Sequence, residues 1–192
     1  RNQNTHAEID YDFVRENSIR VVRRLTGGGA VFHDLGNVNY TFITKSSDFN
    51  NYARFCSPII EALAGMNVAA ELSGRNDLLI DGRKFSGNAQ CSHAGRLMHH
   101  GTLMFSANVD DMASALRVNP LKIQSKGIKS VRSRVTNISE HLPEDITVEQ
   151  FIQRLLDYAA LSFGCAPGEP SPDEISGAKA LDIITSDKPP DI

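Results

Sequence analysis

Apolar residues along this chain recur at two spacings, and the change from one to the other divides it into elements. Residues 7–16 carry Ile9, Phe13 and Val14 at helical intervals, which predicts a short helix. Residues 19–25 predict a strand that runs into three glycines, and residues 38–44, rich in β-branched and aromatic side chains, predict a second. Phe55, Ile59, Ile60 and Leu63 share one helical face. A helix is therefore expected to run to residue 64, capped from Ser47 or Asp48. Residues 68–72 predict a short strand. Residues 77–90 predict a hairpin with Asp81-Gly82 as its turn. A further strand is expected over residues 100–105, and a helix over 109–116 with Asp110 and Asp111 in its first turn. Residues 147–163 predict a helix with Thr147 as cap, Gln150 at the box position, and Phe151, Ile152, Leu155, Leu156 and Ala159 on its apolar face.

Two stretches break this pattern. Residues 117–136 hold six basic residues (Arg117, Lys122, Lys126, Lys129, Arg132, Arg134) and no acid, with Pro120 and Gly127 interrupting. From Gly164 onward the chain turns acidic and proline-containing, with a short helix expected near residues 173–181. The organisation expected is one domain over residues 1–165, followed by a tail or linker over 166–192.

Composition adds limits. The 192 residues are 41% hydrophobic and 22% charged, ordinary for a globular domain with a real core. No apolar run approaches the roughly 20 residues a membrane helix needs. Three widely spaced cysteines, Cys56, Cys91 and Cys165, indicate neither a disulfide framework nor a zinc site, and a reducing cytoplasm is the default compartment. Residues 1–139 hold 17 Lys and Arg against 12 Asp and Glu, whereas residues 140–192 hold 3 against 11. The basic part suits an anionic ligand, without the density that would point to nucleic acid.

The candidate chemistry centres on Arg23-Arg24-Leu25-Thr26-Gly27-Gly28-Gly29-Ala30-Val31-Phe32-His33-Asp34. Consecutive glycines let the backbone turn freely and approach a ligand closely. The flanking arginines carry forked donors for phosphate or carboxylate. The spacing fits neither the dinucleotide fingerprint nor the P-loop. A second motif, GRNDLLIDGRKFSGNAQ over residues 74–90, places Lys84 just after a tight turn and ahead of the small residues Ser86 and Gly87. His99-His100-Gly101-Thr102-Leu103 follows. Neighbouring histidines on a strand face opposite ways, so His99 and His100 are not read as a shared metal site.

RRLTGGGAVFHDLGN, GRNDLLIDGRKFSGNAQ, HHGTL and KGIKSVRSRVTNI, in this order, resemble the lipoate–protein ligase family over residues 1 to about 165. The resemblance implies an α+β fold with a mixed, largely antiparallel sheet and flanking helices, like the class II synthetase-like catalytic domain of biotin and lipoate ligases. The family's corresponding sequence lies inside its domain and the chain opens at Arg1 without Met, so an N-terminally truncated domain is expected. The implied activity is ATP-dependent formation of lipoyl-AMP, then transfer to a lysine of a lipoyl carrier domain. The implied carriers are 2-oxoacid dehydrogenase E2 subunits and the glycine cleavage H protein.

By the same resemblance, Lys84 is the catalytic residue and contacts both lipoate and adenylate. Arg24, the backbone of Gly29, Ala30, Val31 and Phe32, and Asn76 and Asp77 bind the nucleotide. Gly27, Gly28, Ser86, Gly87 and His100 border the lipoyl group. Asp77 is the candidate to hold Mg2+ jointly with phosphate oxygens. Lys126, Lys129, Arg132 and Arg134 belong to a segment that folds over the adenylate. Octanoyl transferases of this scaffold use a cysteine thioester. In those built like the ligases the cysteine precedes the hairpin, where this chain reads Ser73-Gly74-Arg75-Asn76. Octanoyl transfer and a binding-only homologue are the competing readings.

Overall fold

The computed structural model of this protein describes residues 4–74, 76–117 and 131–163. Helices α1 (Thr5–Glu8) and α2 (Tyr11–Glu16) open the chain, followed after the glycine loop by strand β1 (Asn37–Lys45) and helix α3 (Tyr52–Gly65). Strands β2 (Glu71–Ser73), β3 (Asp77–Ile80), β4 (Arg83–His93) and β5 (Arg96–Met104) follow. Helices α4 (Val109–Ala115), α5 (Val131–Arg134) and α6 (Val148–Phe163) complete the described elements.

The five strands form one sheet in the order β1-β5-β4-β3-β2, with every ladder antiparallel. The mixed character expected is reduced to an isolated parallel bridge between Lys84 and Val135. β2 to β5 are a meander of neighbours in sequence. One face of the sheet packs against α3 and α6. Leu63, Leu78, Phe85, Leu103, Ile138 and Phe151 are fully buried there, and Phe105 stacks on Phe151 with centroids 4.6 Å apart. The opposite face carries smaller clusters. In one, Ala30 and Phe32 of the glycine loop pack with Ile9, Val14 and Ala115. In the other, Phe32 packs with Met104, Ala107 and Met112. The glycine loop is thus held on the face away from the main core.

Several expected boundaries move, each for a local reason. The first helix is broken at Ile9 and Asp10. Asp10 caps α2 by accepting from Phe13 N at 3.1 Å, while Ile9 pairs with Leu116. Residues 19–25 form no strand. Val21 and Val22 both stand outward, at 42% and 64% exposure, so the apolar run there does not alternate as a ladder would require. Helix α3 starts at Tyr52 rather than after Ser47, because Asn51 accepts from Arg54 N and Ser46–Asp48 form a 3-10 turn. Asn67 takes a left-handed conformation (φ 61°) and Val68 N donates to Leu63 O, so Val68 closes α3 and the next strand is delayed to Glu71. β5 begins at Arg96, four residues before the position expected. It is reached through a second two-residue turn, Ala94-Gly95, whose φ values of 47° and 74° parallel those of Asp81-Gly82, 50° and 72°. α6 has the expected cap: Thr147 N donates to Gln150 Oε1 and Gln150 N to Thr147 Oγ1.

Lys126, Lys129, the short helix expected near 173–181 and the tail from residue 166 lie outside the described residues. Among the described residues no helix is long and apolar enough to cross a membrane.

Candidate active site

Lys84 owes its direction to an irregularity in the β3–β4 ladder. Leu78 pairs with Ser86 but Leu79 pairs with Lys84, so Phe85 is an extra residue on β4. Such a bulge breaks the alternation of side chains. Phe85 and Ser86 are both buried, and Lys84 and Gly87, three residues apart, come to the same face. A β-carbon at Gly87 would stand 3.1 Å from Lys84 Nζ. The lysine therefore lies along the sheet, over its own strand's glycine, with Nζ 2.7 Å from Asp77 Oδ1. Both side chains are about two-fifths exposed, so this pair is open to competing anions.

The same face continues through Ala89 to His100, its partner on β5. His100 Nε2 is 2.6 Å from Thr26 Oγ1, which joins the glycine loop to the sheet. Burial, and then the nearby Arg24 and His33, push the His100 pKa below the ordinary imidazole value, which favours the uncharged ring. Within the loop, Arg24 donates to Gly27 O through Nη2 at 2.8 Å and Nε at 3.3 Å. Gly28 takes φ 113°, and a β-carbon there would collide with the Arg24 guanidinium. Glycine at 28 is what lets the arginine fold back over the turn.

On the main-core face of the sheet lies a polar network. Tyr40 donates to Asn88 Oδ1, Asn88 Nδ2 donates to Ser86 Oγ at 3.3 Å and Asn76 O at 3.1 Å, and Asn76 Nδ2 donates to Asn88 O. Gly101 stands between Tyr40 and Asn88 in register. A β-carbon at 101 would overlap the Asn88 side-chain oxygen and stand 2.7 Å from the Tyr40 ring. This accounts for the glycine of the HHGTL segment. Also on this face, His99 is fully buried and stacks on Phe55 with centroids 4.7 Å apart. Gln90 Nε2 contacts its Nδ1 at 3.0 Å.

The structure thus brings Lys84, Asp77 and Gly87 together on one face of the sheet, with His100 farther along that face, and holds Arg24, Gly27 and Gly28 in the loop that Thr26 ties to His100. Ser86, expected to border a ligand, is instead 1% exposed, because the bulge turns it into the core-side network. Asn76 likewise braces that network through Asn88. Ala30 N, expected to face a nucleotide, donates to Glu8 Oε2 at 2.9 Å. Arg134 is exposed at the end of α5. Among the described residues no group of three His, Cys, Asp or Glu side chains is arranged for a metal. Sequence reasoning passed over Thr26, Tyr40, Asn88 and Glu8. Only Thr26 and Asn88 lay inside recognisable motifs, and nothing marked Tyr40 or Glu8.

The fold is an α+β domain with a lysine on one sheet face and an arginine-bearing glycine loop tied to that face. Residues 1–160 match the family model described as the lipoyl protein ligase A/B catalytic domain, and the chain belongs to that family. It is 57% identical over 158 residues to the lipoate–protein ligase LplJ of Bacillus subtilis, covering 81% of this chain and 48% of that protein. The chain spans about half the length of the curated relatives it matches. Among solved structures it resembles one chain of a bipartite lipoate protein ligase described with its E2 lipoyl domain, from Thermoplasma acidophilum. That likeness has a TM-score of 0.78 at 26% identity, over 93% of this chain and 72% of the other. It also resembles P. falciparum LipL1 in complex with lipoate, with a TM-score of 0.70 at 30% identity, over 88% and 47%.

Proposed function

We propose that this chain is the catalytic core of an ATP-dependent lipoate–protein ligase, which activates lipoate as lipoyl-AMP and passes the acyl group to a lysine of a lipoyl carrier domain. The observation that carries the reading is the bulge that lays Lys84 along the sheet face to which Thr26, through His100, ties the glycine loop bearing Arg24. Joining a carboxylate to an α-phosphate requires two anions to approach one another. A fixed ammonium between them offsets their repulsion where charge develops. Asp77 holds Lys84 in place before ligand arrives, and the half-exposed pair can open to let phosphate or carboxylate take the ammonium. His100, braced by Thr26 and with its charged form disfavoured by burial, suits the border of an apolar acyl chain.

Asp77 fits Mg2+ only as a single protein ligand beside phosphate oxygens, since its Oδ1 is engaged by Lys84. A bound magnesium would supply charge neutralisation at those oxygens. Arg134, and with it Lys126, Lys129 and Arg132, are proposed to approach the adenylate from above. The carriers proposed are E2 lipoyl domains and the glycine cleavage H protein, and the compartment proposed is the cytoplasm.

Octanoyl transfer through a thioester is not favoured. Among the described residues, Cys56 is fully buried in α3, where burial pushes its thiol up to about 11, and Cys91 stands half-buried on β4, past the hairpin rather than ahead of it, and pairs with Met98. Pyrophosphate release that requires both ATP and lipoate, followed by acylation of an apo-lipoyl domain, is the expected behaviour. Carrier acylation from an octanoyl carrier protein without ATP would overturn it.

A further inference from the structure

We propose that Glu8 is a positioning residue for the nucleotide-binding loop: its carboxylate holds the Ala30 amide and so fixes the far end of the triple-glycine turn. The proposal rests on the ligase reading for its kinetic consequences, though not for its geometry.

Glu8 ends the four-residue helix α1, and its backbone is fastened on the side away from the loop. Arg117 N donates to Glu8 O at 3.0 Å, Ile9 bridges to Leu116, and Asp10 N donates to Ala115 O at 2.9 Å. The start of the chain is therefore stitched to the end of α4, and Ile9 is buried in the cluster that also receives Ala30 and Phe32. From this platform the Glu8 carboxylate accepts from Ala30 N at 2.9 Å. Gly29 leaves it room, since a β-carbon at 29 would stand 3.2 Å from Glu8 Oε2 and would oblige the carboxylate to shift. The loop's near end is tied to the same helix, where Arg23 Nη2 donates to Thr5 Oγ1 at 2.9 Å. Residues 23 and 30 are thus both held by α1, and Arg24 locks the interval from inside through Gly27 O.

Three successive glycines are entropically costly to order. A loop meant to meet a nucleotide in one conformation needs restraints outside the glycines themselves, and a carboxylate on a backbone amide is a charge-assisted one. On this account the Ala30 amide is committed to the protein, and Ala30 serves the nucleotide by where it stands rather than by its N–H. The opposing possibility from the same contact is that Glu8 is a placeholder, occupying an amide that phosphate must take. The two make opposite predictions when the carboxylate is removed.

The test compares Glu8→Ala and Glu8→Gln with the parent protein in lipoate-dependent pyrophosphate release. Loss of one charge-assisted restraint should raise KM for ATP in Glu8→Ala about ten-fold or more. KM for lipoate should stay within about two-fold, since the acyl side of the cleft is untouched. Glu8→Gln keeps an acceptor oxygen and should recover most of the loss. A lower KM for ATP in Glu8→Ala would establish the placeholder instead, and an unchanged one would overturn both. A ligand-free measurement separates this from failure of the ligase reading. Amide exchange at residues 27–32 should speed up in Glu8→Ala, return toward the parent rate in Glu8→Gln, and leave β4 and β5 unchanged. If exchange at 27–32 is the same in all three proteins, Glu8 does not position the loop, whatever reaction the protein catalyses.

Discussion

Lys84 Nζ and Asp77 Oδ1 lie 2.7 Å apart, although their pairing partners in the ladder are Leu79 and Gly87. The lysine reaches diagonally across the bulge to make this contact. Because each side chain is about two-fifths exposed, the pair contributes little to stability, within about 1 kcal/mol. Lys84→Ala should therefore unfold at nearly the parent temperature. It should also lose lipoyl-AMP formation by about a hundred-fold or more, the scale of removing one donor to a developing charge. Near-normal adenylation in this variant would sink the central assignment.

Gly87 and Gly101 occupy neighbouring strands, yet their alanine variants should fail in different ways. At 87 the obstacle is the flexible end of Lys84. Gly87→Ala should fold normally, displace the ammonium and lower kcat. At 101 the obstacles are the Asn88 side chain and the Tyr40 ring, both held in the core-side network. Overpacking of that kind costs about 1–3 kcal/mol, so Gly101→Ala should lower the unfolding midpoint as well as activity. Thermal melts alongside adenylation rates distinguish the two. Equal melting temperatures for both variants would contradict the geometry.

The buried His99 ring makes stability depend on pH in a defined window. Burial first, then neighbouring His100, lower its pKa from 6.5 to about 4. A base with a depressed folded-state pKa stabilises fully above its unfolded value and loses that contribution as pH falls toward the folded one. Between pH 7 and pH 5 the loss should be on the order of 2 kcal/mol. His99→Phe, which keeps the stack on Phe55, should show a smaller loss over the same interval in urea titrations. An identical pH dependence would mean that other groups carry the acid sensitivity.

If no cysteine takes part in acyl transfer, Cys91→Ser and Cys56→Ala should each retain ligation. Alanine is the appropriate change at 56, because a serine hydroxyl would be buried beside Tyr40 and would disturb folding for its own reasons. Loss of ligation in Cys91→Ser, together with a trapped thioester on the parent protein, would restore the transferase.

The sequence was most legible where local chemistry and period agreed. The Asp81-Gly82 hairpin and the Thr147–Gln150 capping box stand where turn and cap residues place them. It was least legible where the determining contact is distant. Ala94 adopts a turn conformation that alanine rarely takes, so the β4–β5 hairpin carried no recognisable signal. Residues 19–25 had strand composition but lack a ladder, and composition cannot supply a partner. The bulge at Phe85 was invisible, since the segment from Arg83 to Gly87 has no residue that announces an extra position. That single insertion decides that Ser86 faces the core and Lys84 the opposite face of the sheet, so the motif was readable while the placement of its residues was not.

The strand order has a kinetic consequence. β2 to β5 join neighbours in sequence, and among the described strands only the β1–β5 ladder links distant parts of the chain, Asn37 with Met104 and Lys45 with Arg96. Local pairings close small loops and form early, whereas distant ones wait on a larger entropic cost. Lys84, Asp77, Gly87 and His100 all lie on the early meander. Arg24, Thr26 and the glycines lie outside it, and their loop is placed by contacts distant in sequence, Thr26 with His100 and α1 with the end of α4. A folding intermediate of this protein would therefore carry the lysine without its loop, able to present an ammonium to solvent but not to hold a nucleotide against it.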